Sequence, residues 1–148
     1  MSGRIRFSLA IFLSLLIVQC LWGCAGEQKE AKLEIVDAEY SMRSDHEHHY
    51  IVDARGVIRN AGEVDVKNIE ITGHCTSCRK EILDGEWFVS EYEKMPHQKD
   101  IISHLPAGGE ENFEFEEVAF CVVNRKKEPP EKLPEGLEIS IESYEIAK

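Results

Sequence analysis

Tyr50-Ile51-Val52-Asp53-Ala54-Arg55-Gly56-Val57-Ile58-Arg59 decides the fold class, because Tyr50, Val52, Ala54, Gly56 and Ile58 alternate with Asp53, Arg55 and Arg59. A period of two belongs to an extended strand with one face on a core and the other in water. Asn60-Ala61-Gly62-Glu63 then reads as a turn, since Asn and Gly tolerate the dihedrals that reverse a chain. From Val66 to Cys75 the pattern returns, with Ile69, Ile71, Gly73 and Cys75 on one side and Asn68, Glu70, Thr72 and His74 on the other.

The flanking segments carry the same period. Leu33 to Tyr40 precedes these two strands, and Glu86 to Tyr92 follows the Asp84-Gly85 turn. Ile101-Ile102 belongs to a strand that breaks at Pro106-Ala107-Gly108-Gly109. Phe113 and Phe115 alternate with Glu114 and Glu116, and the apolar stretch Val118 to Val123 extends or re-phases this strand, as a β-bulge does. A proline-rich connection from Lys126 to Gly136 leads to a last strand, where Leu137, Ile139 and Ile141 alternate with Glu138, Ser140 and Glu142. Arg79 to Leu83 offers one helical turn at most. About seven short strands, with no amphipathic helix, internal repeat or second domain, predict an all-β, immunoglobulin-like antiparallel β-sandwich.

Ahead of the strands stands MSGRIRFSLAIFLSLLIVQCLWGC, residues 1–24. Arg4 and Arg6 precede an apolar run from Phe7 to Leu21, and small Gly23 precedes Cys24. This is the layout of a secretory signal. A membrane span needs roughly 20 apolar residues, and this run is slightly shorter and interrupted by Ser8, Ser14 and Gln19. The arrangement resembles the lipobox of prokaryotic membrane lipoproteins. The resemblance implies cleavage before Cys24, acylation of Cys24 with palmitate-type chains, and a domain held outside the cytoplasm on the cell membrane or outer membrane. Plain secretion and an uncleaved anchor are the competing readings. Residues 1–23 are then a signal peptide, residues 24–31 a tether, and residues 32–148 the β-sandwich domain.

Cleavage leaves 125 residues, enough for one core. Loss of Arg4 and Arg6 takes the formal charge from -11 to -13. Such acidity excludes nucleic acid as a partner, because phosphates are repelled, and gives no attraction to anionic headgroups. The membrane is reached through the lipid, and the expected partner is another envelope protein.

Gly56-Val57-Ile58-Arg59-Asn60, then Asp65-Val66-Lys67-Asn68-Ile69, then Leu105-Pro106-Ala107-Gly108-Gly109-Glu110 ahead of Phe113 resemble the FxLYD-type immunoglobulin-like domains of prokaryotic envelope lipoproteins. The resemblance covers about Ile51 to Phe115 and implies a sandwich whose Asn and Gly residues occupy turns. Where the family pattern has a tyrosine-aspartate-glycine turn, this chain has Gly73-His74-Cys75-Thr76-Ser77-Cys78.

That departure holds the sharpest chemical candidate. Cys75, Cys78 and Cys121 are the cysteines of the mature chain besides Cys24. An exported chain predicts one disulfide and one remaining thiol. Joining either Cys75 or Cys78 to Cys121 closes a loop worth roughly 4 kcal/mol in the loop-entropy model, and the local pair closes a far shorter one. The pairing is open, with the local Cys75 to Cys78 bridge favoured because it needs no assumption about strand neighbours. His74, Cys75, Cys78 and Cys121 also form a conceivable four-ligand metal set, and a C-x-x-C pair can cycle between dithiol and disulfide.

Asp45-His46-Glu47-His48-His49 is a second metal candidate, placed in the connection before the Tyr50 strand. Its bland reading is a solvated polar loop. Trp87, Phe88 and Tyr92 form either a binding patch or part of the core. Ser90 and Ser103 lack the context of a nucleophile, and Gly108-Gly109 is a turn rather than a phosphate cradle. The leading expectation is a non-enzymatic, lipid-anchored interaction domain without a cofactor. The alternative is an envelope lipoprotein that binds metal or performs thiol redox chemistry in the His74, Cys75 and Cys78 region.

Overall fold

A computed structural model describes residues 29–148. The signal segment 1–23, Cys24 and most of the tether lie outside the described residues. Seven strands follow: β1 (Leu33–His46), β2 (His49–Asn60), β3 (Val66–Cys75), β4 (Trp87–Phe88), β5 (Lys99–Leu105), β6 (Glu110–Val122) and β7 (Leu137–Ile146). One sheet has the order β1-β2-β6-β4 and the other β5-β3-β7. Every pair of neighbours is antiparallel. The result is the expected antiparallel sandwich.

Alternation produces the core. Val52, Ala54 and Ile58 of β2 and Val66, Ile69 and Ile71 of β3 are buried, together with Ile102 and Leu105 of β5 and Phe113, Phe115, Val118 and Ala119 of β6. The Phe113 and Phe115 rings stack with centroids 5.9 Å apart. Gly73 lies against Phe115: a Cβ there would press on Phe115 and Val118. Its lack of a side chain lets β3 approach β6.

β6 bulges between Phe115 and Ala119. Val52 pairs with Ala119 but Ala54 pairs with Phe115, leaving extra residues of β6 opposite Asp53. Glu117 takes φ 62° there. Asp53 Oδ1 accepts the Glu117 N–H at 3.0 Å, so the bulge does not leave that donor unpaired. The bulge adds two residues to β6, so Phe113, Phe115 and Ala119 stay on the inner face and Val118 is buried beside them.

Asn60 anchors one end of the sandwich. Wholly buried, it donates through Nδ2 to Val64 O and Leu105 O and accepts the Gly62 N–H at Oδ1. Its backbone bonds to Gly108 and Gly109, and Ala107 N–H donates to Asp65. The Asn60, Asp65 and Leu105–Glu110 segments of the sequence motif therefore meet at one corner.

Four local expectations need correction. β1 runs to His46 instead of stopping near Tyr40, because it pairs with β2 along its whole length. The connection around His46–His49 is therefore a tight hairpin, with His48 at φ 70°. The strand expected from Glu86 to Tyr92 shrinks to Trp87–Phe88, since only these residues pair with β6. Ordered packing also reaches back into the supposed tether: Glu30 O accepts from Glu63 N–H, and Ala31 packs against the core.

The two lateral openings of the sandwich differ. On the β5 side, Asp100 Oδ2 accepts the Glu114 N–H across the sheets at 3.0 Å. Next to it, Pro96 starts a 3-10 turn, Pro96–Gln98, with the φ that its ring imposes. Gln98 is buried there and bonds to Met95 N–H and Glu117 O, while its own carbonyl accepts from Thr72 Oγ1. On the opposite side, β1 and β7 present inner-facing residues that stay partly in water.

Candidate functional site

The long connection from Thr76 to Gln98 gathers most of the chemistry the sequence offers. Its start is stapled by a Cys75–Cys78 disulfide with Cα atoms 5.3 Å apart. The local pairing is thus the one formed. Thr76 N–H donates to Gly136 O at 2.8 Å, and Ser77 Oγ donates to Glu135 O, so the staple also fixes the entry to β7. Farther on, Arg79 pairs with Glu86, and Arg79 exchanges backbone bonds with Trp87 and Val89. Asp84 accepts from Asn124 and Lys127. These bonds, Lys127 foremost, hold its carboxyl below the usual range.

Held this way, the connection displays apolar side chains. Tyr92 is 88% exposed, Ile82 68% and Met95 56%. Tyr92, Ile82, Phe88 and Val89 line a shallow cleft of about 380 Å³ with Lys80 and Glu91 at its rim. The aromatic trio divides: Trp87 packs against the core, Phe88 stacks on Phe120 at 5.6 Å, and Tyr92 stands in solvent. Ile82 and Met95 were missed in the sequence because neither sits in an alternating run.

Lys94 closes the far end of the connection. Its Nζ donates to Gly73 O at 3.0 Å, and burial pushes its pKa down, an effect that nearby Glu142 opposes. Glu142 is itself lowered by hydrogen bonds from Ser140 and His74. His74 Nε2 lies 2.8 Å from Ser140 Oγ and 3.0 Å from Glu142. His74 thus braces the outer face of β7.

The four-ligand set of His74, Cys75, Cys78 and Cys121 is not assembled. Cys75 and Cys78 share their disulfide, whereas Cys121 is buried in β6 of the other sheet, opposite Tyr50 and Trp87. Burial pushes the Cys121 thiol pKa up, with a smaller contribution from Asp84. Neither bridged cysteine opens a helix, so no helix dipole is available to lower a thiol pKa. His46, His48 and His49 sit at the β1–β2 hairpin, with the His46 and His49 rings 6.3 Å apart. Among the described residues, no three His, Cys, Asp or Glu side chains converge as metal ligands. His97 bonds Glu117 at 2.7 Å and supports the β6 bulge.

Compared with family models, curated proteins and solved structures, the chain gives no significant match to any of them.

Proposed function

We propose that this chain is a non-enzymatic envelope lipoprotein that is anchored through Cys24 and docks another envelope protein on the Thr76–Gln98 connection. The observation that carries the docking half is the exposed group of Ile82, Tyr92 and Met95, held on a segment fixed by a disulfide at one end and a buried Gln98 at the other. A segment whose backbone is already tied at both ends has less conformational entropy to lose on association. The anchoring half rests on Arg4, Arg6, the apolar run to Leu21 and the Gly23-Cys24 junction. A strongly acidic domain gains no electrostatic hold on anionic lipid, so the acyl chains supply the attachment.

Phase partitioning and crosslinking test the two halves separately. Wild type is expected in the detergent phase and Cys24→Ser in the aqueous phase; persistence of the variant in detergent overturns the lipid anchor. With a photoreactive residue at position 92, a discrete crosslinked species is expected in intact cells and lost on Ile82→Asp. No crosslink, or one indifferent to that change, overturns docking on this surface.

A further inference from the structure

A bulge in β1 sets two imidazoles opposite each other. Ser44 pairs with Tyr50, and in an unbroken register Asp45 would stand opposite His49. The shift between Ser44 and His46 makes Asp45 the extra residue and puts His46 opposite His49 instead. Bulges re-aim side chains in this way. Directly opposed residues of an antiparallel pair project from one face with Cβ atoms about 5 Å apart, and the His46 and His49 ring centroids are 6.3 Å apart.

The backbone beneath the pair is fixed. β1 and β2 pair from Leu33↔Asn60 to His46↔His49. His49 is held from its other side by β6, opposite Val122. Ser44 Oγ donates to His46 O at 2.9 Å, and at the tip Val123 N–H donates to His48 O at 3.0 Å. A flexible loop must be ordered as it takes up a metal, which weakens binding; a hairpin tied to a third strand is ordered beforehand. These ties come from β6, distant in the chain, so the cluster that reads from sequence as a loop is a preformed pair in the fold.

Imidazole suits late transition-metal ions, and Cu2+ heads the divalent series in affinity. A metal about 2.0–2.1 Å from each nitrogen leaves two ring centroids roughly 4.5 to 6.5 Å apart, according to the angle at the metal. The rings of His46 and His49 stand at the wide end of that span, and both residues are exposed, so rotation of the side chains alone closes the chelate. Charge favours a cation there. Asp45 and Glu47 flank the pair, and Arg43, which reaches Asp45 at 3.5 Å, is already bonded to Asp53 at 2.6 Å and to Glu116 at 3.1 Å.

From the bulge, the register and the pinned tip, we propose that His46 and His49 chelate one divalent late transition-metal ion on the β1–β2 hairpin, Cu2+ in preference to Zn2+. Among the described residues no group of three His, Cys, Asp or Glu side chains is placed to hold a metal, so water fills the remaining positions. Structural sites close with four protein ligands; this one is open and exchangeable. His48 occupies a turn position rather than a paired one and is not a ligand. The site needs neither the lipid nor a docked protein.

The test is calorimetric titration of the full chain in detergent micelles, without a histidine tag, using Cu2+ buffered by glycine and then Zn2+. One Cu2+ per chain is expected, with Zn2+ weaker at the same site. His46→Gln and His49→Gln are each expected to weaken Cu2+ binding at least about tenfold, the lower bound of what even outer-shell changes cost a metal site. Their metal-free thermal midpoints stay at the wild-type value, because both side chains are exposed. His48→Asn, which suits the left-handed tip, and His104→Gln on β5 leave the affinity unchanged. Should a glutamine variant fail to fold, the wild type decides: substoichiometric Cu2+ broadens the imidazole NMR signals of His46 and His49 first. No binding above the glycine background, affinity indifferent to both glutamine variants, loss on His48→Asn or His104→Gln, first broadening elsewhere, tighter Zn2+ than Cu2+, or one ion shared by two chains would each overturn the proposal.

Discussion

Between β5 and β6 the sandwich is closed by side chains that reach across it, whereas between β1 and β7 inward-facing apolar residues meet water. The closed side uses polar bonds: Asp100 to the Glu114 N–H, Gln98 to Glu117 O, and Thr72 to Gln98 O. The open side has a hydrophobic seam and, on β7, an edge that no strand among the described residues pairs with. Closing a lateral opening takes donors and acceptors as well as apolar cover, because sheet edges carry unpaired N–H and C=O groups. Among the described residues, Pro96–Gln98 and Asp100 supply them on the β5 side.

The comparison breaks first at Gln98. Gln98→Ala removes the Met95 and Glu117 contacts and leaves a void in a buried position. The expected loss is about 2 kcal/mol, read as a lower denaturation midpoint; an unchanged midpoint would mean that the turn does not close the sandwich. A smaller effect is expected from Asp100→Ala, about 1 kcal/mol. Its sharper sign is faster amide exchange at Glu114, because that N–H loses its acceptor. On the open side Ile146→Ala is expected to cost under about 1 kcal/mol, since half of the side chain is already in water. A loss as large as that of Gln98→Ala would show that the seam is covered in solution.

The alternation in β2, β3, β6 and β7 made the sandwich legible, and Asn60 and Gly108-Gly109 marked its corners. Cys75, in phase with the inner face, ended β3 where the alternation placed it. The hairpin at His46–His49 was not legible: no Asn-Gly or Asp-Gly pair marks it, and His48 takes the left-handed conformation that such turns ordinarily give to Gly. Nor did the β4 stretch reveal its length, because Trp87 and Phe88 are held by pairing with Phe120 and Cys121, far along the chain. The exposed side chains of the candidate surface, Ile82 and Met95, carry no periodic signal at all.

Local chemistry in the chain was sufficient for the layered fold, the turns at Asn60 and Gly108-Gly109 and the acidic character, and it favoured the disulfide between cysteines three residues apart without deciding it. Each of these depends on neighbours in sequence or on summed charge. Which Met or Ile is covered, which edge is capped, and whether Cys121 meets Cys75 depend instead on strand order and register. Those follow from contacts between distant residues competing for one core, so only the tertiary structure decided that one flank of the sandwich is sealed by polar bonds while, among the described residues, the β1–β7 flank is not.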